Sequence, residues 1–200
     1  MRKVDPVKHA EKRQEILDAA ERCFIRDGFH GATTASICTE AGISPGHLYH
    51  YFPSKEAIIG ALVDANLKRV AERFAAASAA PSGVVAALVS EVDQKKPKKT
   101  RNARLMLLDM FAEAERNPVL AEVIRKHSRG ILTLTADLVR RGQDTGEIDR
   151  TLDADAVATV LMSVIDGTRL IGIRDPKLET TKTFGLVKTM IARFLAPPPT

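Results

Sequence analysis

Apolar residues recur along this chain at helical spacing almost from end to end. Ile16, Ala19, Ala20, Cys23 and Phe24 stand at i, i+3, i+4, i+7 and i+8, the one-sided stripe of an amphipathic helix. The stripe stops at Asp27-Gly28-Phe29-His30-Gly31, whose glycines can close a helix. Thr33 is placed to cap a short second helix, TASICTEA, which Gly42 ends. Ser44 and Pro45 make a cap and a first-turn proline for a third helix, running to about Phe52. Pro53-Ser54-Lys55 restarts the chain, with Ser54 as N-cap and Glu56 in the first turn.

The fourth helix is long, KEAIIGALVDANLKRVAERFAAA, with Ile58/Leu62, Ile59/Val63 and Val70/Phe74 each four apart. At the usual helical rise it spans roughly 35 Å, enough to tie two domains together. A softer SAAPSG follows, then the helical VVAALVSEVD, then a polar loop, KKPKKTRN, broken by Pro97. ARLMLLDMFAEAER reads as an amphipathic helix ending before Asn117-Pro118. VLAEVIRKHSRGILTLTADLVRRGQDTG reads as a long helix ended by Gly142 or Gly146. LDADAVATVLMSVIDGTRLIGIRDP is the most apolar, with Asp153 or Asp155 near its start, and KLETTKTFGLVKTMIARFLAPPPT closes the chain. No segment alternates as a strand would, and no internal repeat is found. The expectation is an all-α protein of about nine helices.

Composition narrows the class. With 44% hydrophobic and 28% charged residues, the 200-residue chain is neither disordered nor low-complexity. No apolar run approaches the roughly 18 residues that span a membrane. The basic N-terminus has no apolar stretch behind it, so it does not read as a secretory signal, and a cytoplasmic protein is expected. Two cysteines, Cys23 and Cys38, are too few for a disulfide framework or a four-ligand zinc site and read as small buried hydrophobes. The net charge is +5, but its placement is uninformative. Five cations against two anions lie on a basic arm, 1–13, while three cations face six anions from Glu15 to Ile58. The densest basic run, Lys95 to Arg104, lies elsewhere. Charge alone therefore locates no nucleic-acid site.

The informative stretch is Thr33 to Lys55, where two short helices join across Ala41-Gly42-Ile43-Ser44. Gly42 frees the backbone to turn, and Ile43 can plug the angle between the helices. This is the helix-turn-helix layout, whose second helix enters the DNA major groove. At about 100° per residue, Leu48 and Phe52 share the side that can pack on Ile37, Ala41 and the first stripe. Gly46, His47 and His50 point the opposite way, with Tyr49 and Tyr51 on the flanks. Both of the chain's tyrosines and two of its five histidines thus fall within five residues.

Residues 12 to 60 resemble the DNA-binding domain of the TetR family of bacterial transcription regulators. The resemblance rests on F-x-x-x-G-F (Phe24 to Phe29), T-x-x-x-I (Thr33 to Ile37), A-G-I-S (Ala41 to Ser44), G-x-L-Y-x-Y-F (Gly46 to Phe52) and S-K (Ser54, Lys55). It covers about a quarter of the chain; the remainder is similar only in architecture. Cys38 stands where Ala is usual, Thr34 where an apolar residue is usual, and Pro45 where a polar residue is common. The resemblance implies a DNA-binding set of Thr33, Thr34, Ser44, Pro45, Gly46, His47, Tyr49, His50, Tyr51 and Lys55. Hydroxyls and amides at Thr33 and Thr34 would meet phosphate, Gly46 would allow close approach, and the histidines would face base edges or phosphates. Tyr49, Tyr51 and Lys55 would hold phosphate oxygens, and the arm would add minor-groove or backbone contacts.

The same resemblance implies residues 1–53 as the DNA-binding domain and 54–200 as the ligand-binding and dimerisation domain, with helix 54–77 linking them. It implies a homodimer paired through helices of about 153–174 and 177–195, a palindromic double-stranded operator and an unidentified small-molecule effector. Met106, Met110, Phe111, Met162 and Phe184 read either as core or as adaptable pocket walls. Asp166 and Arg169 interrupt an apolar helix. They either pair with each other, meet across a dimer interface, or contact ligand. His127 reads as a satisfied or exposed histidine. His47 and His50 lack a third ligand for a metal, and no cofactor is expected. No nucleophile elbow, phosphate loop, HExxH or carboxylate pair is present, so no catalysis is expected. The rival reading is a helical small-molecule-binding or interaction protein that acts without specific DNA binding.

Overall fold

The computed structural model of the chain describes residues 5–78, 83–92, 108–174, 178 and 180–198. Among the described residues there are helices and no strand: α1 (Pro6–Gly31), α2 (Thr34–Ala41), α3 (Pro45–Tyr51), α4 (Lys55–Ser78) and α5 (Gly83–Ser90), α6 (108–114), then α7 (Pro118–Thr145), α8 (Ala154–Arg174) and α9 (Thr180–Leu195). The all-α expectation holds. Met106, the Lys95–Arg104 run and the side chain of Arg169 lie outside what is described.

Short-range chemistry sets the helix ends. The Asp5 carboxylate accepts the Val7 N–H at 3.0 Å, and α1 begins at Pro6. Lys8, Lys12 and Arg13 therefore ride on helical turns, and any extended arm is confined to the residues before them. Gly28 breaks α1 at φ 73, a left-handed conformation that a side chain resists. Thr33 and Ser36 form a reciprocal capping box at the start of α2, each side chain accepting the other's backbone N–H at 3.0 Å. Gly42, at φ 62, closes α2, and the Ile43 N–H returns to the Cys38 carbonyl at 3.0 Å. Ser44 Oγ accepts the His47 N–H at 3.2 Å to start α3, and Ser54 Oγ accepts the Ala57 N–H at 3.2 Å to start α4. Asn117 caps α7, whose end is marked by Gly146 at φ 79, the later of the two candidate glycines. Asp153 rather than Asp155 caps α8, accepting the Ala156 N–H at 2.7 Å.

The described residues fall into two compact units, one within Met1–Asn66 and Pro97–His127, the other within Leu67–Lys96 and Ser128–Thr200. The first is built on Ile16, Leu17, Ala20, Cys23 and Phe24 of α1, Ile37 of α2, Leu48 of α3, Phe52, and Ile58 and Ile59 of α4. Met110 and Leu120 complete this core, and Ala41, Ile43 and Tyr51 pack on its edge. Burying each large side chain contributes about 1.5–3 kcal/mol, so the α1 stripe is what holds α2 and α3 in place. Arg22 and Arg26 add ion pairs to Glu40 of α2 at 2.7 and 3.1 Å.

The second unit packs Val70 and Phe74 of α4, Val84 and Leu88 of α5, Leu138 and Val139 of α7, Val157 and Leu161 of α8, and Ile191 and Leu195 of α9. Its polar ties run from local to far along the chain. Glu147 Oε2 accepts the N–H groups of Val84 and Val85 at 2.8 and 3.4 Å, satisfying open amides in the first turn of α5. Gln143 donates to the carbonyls of Asp149 and Leu152, and Arg140 reaches Asp137 and Asp155 at 3.0 and 2.6 Å.

Candidate nucleic-acid interface

The α3 helix has one buried face and one open one. Leu48 is 1% exposed and Phe52 3%, both in the core formed with Ile37. This seats the helix and leaves Ser44, Pro45, Gly46, His47, Tyr49 and His50 exposed. The angular reading of Leu48 and Phe52 thus matches the packing.

Each expected contact residue then has a definable capacity. A Cβ on Gly46 would meet nothing within 4 Å. Packing inside the protein gives no reason for glycine there, whereas close approach from outside does. Ser44 Oγ accepts the His47 N–H, which leaves its hydroxyl proton free to donate outward. The Thr33 N–H is already donated to Ser36 Oγ, so of the two Thr33 groups expected to meet phosphate the amide is taken up inside the protein. Thr34, half-buried in the first turn of α2, has a backbone N–H of the kind that helix starts leave open.

Two side chains sit differently from expectation. Lys55 turns its ammonium inward, donating to the Phe29 carbonyl at 2.9 Å and lying 4.0 Å over the Phe29 ring. It ties the start of α4 to the end of α1. Tyr51 is half-buried rather than on an open flank, because the His9 ring of α1 stacks on it at 4.6 Å. Sequence reasoning missed His9. Its signal was spacing, since His9 lies seven residues before Ile16 and so on the same face of α1.

The remaining candidates do not join this face. Met110 is 5% exposed and belongs to the first core, while Phe111 beside it is 41% exposed. Met162 and Asp166 lie on α8 in the second unit, and Phe184 packs on that unit's core. Burial pushes the Cys38 thiol up, which keeps it protonated and unreactive. Among the described residues no group of three or more His, Cys, Asp or Glu could hold a metal ion, and no helix is long and apolar enough to cross a membrane.

Comparison with known proteins agrees with this geometry. Residues 16–62 match the family of bacterial regulatory proteins, tetR family, and residues 81–196 match the C-terminal domain of BetI-type transcriptional repressors. The HTH-type transcriptional regulator UidR of Escherichia coli is 31% identical over 158 residues, covering 78% of each chain. The solved structure of GusR from Salmonella enterica superposes with a TM-score of 0.74 at 28% identity, covering 92% of this chain and 95% of that one. A transcriptional regulator of Saccharomonospora viridis in complex with choline gives 0.68 at 26% identity, with the same 92% and 95% coverage.

Proposed function

The chain belongs to the TetR family of bacterial transcription regulators, and from that footing we propose that it is a homodimeric repressor that a small molecule releases from a palindromic operator. The observation that carries the DNA half of this reading is the open face of α3. Its groups are small or hydrogen-bonding, its glycine has no internal reason, and its buried face is seated on the core. Gly46, His47 and His50 meet the groove. Ser44, Tyr49, Tyr51, the Thr33 hydroxyl and the amides of Thr34 and Lys55 meet phosphates on either side. Phosphate contacts fix register, and the histidines and the close approach at Gly46 carry the sequence preference.

Residues 1–53 form the DNA-reading part in this account, and 54–200 the part that dimerises and binds effector. Support for the dimer comes from α9. Leu186, Met190 and Phe194 follow one another at i, i+4 and i+8 and are 72%, 49% and 42% exposed. An apolar ridge of this kind on a lone chain fits an isologous contact with a second copy, α8 and α9 facing their equivalents. Such a dimer places two copies of α3 on successive turns of one duplex face. An effector that prefers the conformer with the wrong α3 spacing shifts the population off DNA, and α4, shared between the two parts, transmits the shift.

Met162 and Asp166 on α8 are the effector-site candidates; burial of Met110 favours its core reading. The work of such a repressor is cytoplasmic, on chromosomal DNA. A random-sequence duplex selection with the purified protein tests the reading. It should recover an inverted repeat whose half-site centres lie about 10 base pairs, or a multiple, apart. A pool without consensus, or a single asymmetric site, contradicts it.

A further inference from the structure

Tyr51 is held by more than its own helix. The His9 ring, in the opening turns of α1, stacks on it with centroids 4.6 Å and planes 28° apart. His47 meets the same ring at 5.4 Å, His50 meets it edge-on at 5.4 Å and 89°, and His9 reaches His50 edge-on at 6.2 Å. Arg13, four residues after His9 on the same face of α1, lies 4.9 Å over the Phe52 ring. The stripe that builds the first core therefore continues past the edge of that core as His9 and Arg13, laid against α3. His9 is half-buried and Arg13 exposed, so neither fills an interior void.

We propose that His9 is a positioning residue of the DNA interface, whose ring holds the Tyr51 phenol where its hydroxyl meets a phosphate. The proposal rests on the reading of α3 as the DNA-contacting helix. A tyrosine at a surface samples several side-chain rotamers, and DNA binding has to select one of them. A ring already clasped by one stacked, one tilted and one edge-on contact has lost that freedom before DNA arrives. Tyr49, 52% exposed, reaches DNA from an open position. The two tyrosines thus reach phosphate in different ways, one pre-set by α1 and one ordered on contact.

The test uses the whole protein, the duplex recovered by selection and a scrambled duplex of the same composition, with affinity read by fluorescence anisotropy at one salt concentration. His9→Ala should weaken binding to the selected duplex by about two- to tenfold, the range an aromatic pair of this geometry supplies. His9→Phe, which keeps a stacking ring, should restore most of that loss. In a Tyr51→Phe background, where no hydroxyl remains to be placed, His9→Ala should add little further loss. A second readout needs no DNA. With Tyr49→Phe, Tyr51 is the only tyrosine in a chain without tryptophan. Its ring-proton resonances should be shifted upfield by the His9 stack and should relax downfield in His9→Ala. Equal affinity for wild type and His9→Ala, a loss that His9→Phe leaves unrestored, or a loss undiminished in the Tyr51→Phe background overturns the proposal. A wild-type protein that binds selected and scrambled duplex alike overturns the DNA reading itself, and the proposal with it.

Discussion

The open faces of α3 and α9 are opposites. On α3 and its cap the exposed groups are a serine hydroxyl, a proline, a glycine, two imidazoles and a phenol. On α9 a ridge of Leu186, Met190 and Phe194 stands exposed beside Lys182, Thr189 and Arg193. Both helices are seated by apolar residues on the other side, Leu48 with Phe52 and Ile191 with Leu195, all at most 3% exposed. Burial shows only that each helix is anchored; what is left outside tells the partner apart. A hydrogen-bonding face with room at Gly46 suits a groove lined with phosphates and base edges. An apolar ridge suits another protein surface of the same kind.

The sharpest way to break this contrast is to give α9 the chemistry it lacks. Leu186→Glu combined with Met190→Glu should yield a monomer by sedimentation and weaken operator binding by about a hundredfold or more, since two linked half-sites become one. A dimer that survives the double substitution removes the ridge from the interface. Next in size is Gly46→Ala. A methyl group crowding a close-packed contact costs about 1–3 kcal/mol of affinity. Helix propensity should meanwhile raise the stability of the free protein by about 0.5–1 kcal/mol. Opposite signs for melting temperature and affinity would sharpen the contrast; unchanged affinity would place Gly46 outside the interface.

Glu147→Ala acts on the other unit. Loss of the carboxylate that caps α5 should lower stability by about 0.5–2 kcal/mol, while the sequence recovered by duplex selection stays the same. A changed consensus would show that the second unit takes part in reading DNA. The smallest effect is electrostatic. Hydrogen bonds from Arg22 first, then Arg26, hold the Glu40 carboxylate below its usual range. A depressed carboxylate contributes stability above its unfolded-state pKa, and that stability is lost as pH falls through its folded value. Glu40→Gln should therefore melt lower than wild type near neutral pH, with the gap closing in acid. A gap that is constant with pH assigns the loss to shape rather than charge.

The contrast also explains what could be read from the sequence. The start of α2 is fixed by Thr33 and Ser36, three residues apart, and the turn by Gly42; α3 starts on Ser44 and Pro45. All of these are local rules of capping and turn chemistry, visible in one window of the chain. The Glu147 cap on Val84 spans 63 positions, and the Arg140 pair with Asp155 spans 15. No local pattern announces either. The inward turn of Lys55 was hidden for the same reason, its carbonyl partner Phe29 lying 26 residues away. His9 was legible in principle, as the heptad position preceding Ile16, but its partner Tyr51 is on another helix. Pocket residues were the least legible. An apolar side chain at helical spacing reads the same in a wall as in a core, and Met110 is buried in the first core cluster.

One titration tests the central claim, that the open face of α3 reads operator DNA. Anisotropy of selected and scrambled duplex is followed across salt for wild type and Tyr49→Ala. Tight binding to the selected duplex alone is expected. That binding should fall steeply and log-linearly as salt rises, because phosphate contacts release counterions. The Tyr49→Ala slope should match that of wild type, because a phenol neutralises no phosphate, with affinity lower at every salt concentration. Affinity for the two duplexes that is equal, independent of salt and indifferent to Tyr49 would contradict that claim.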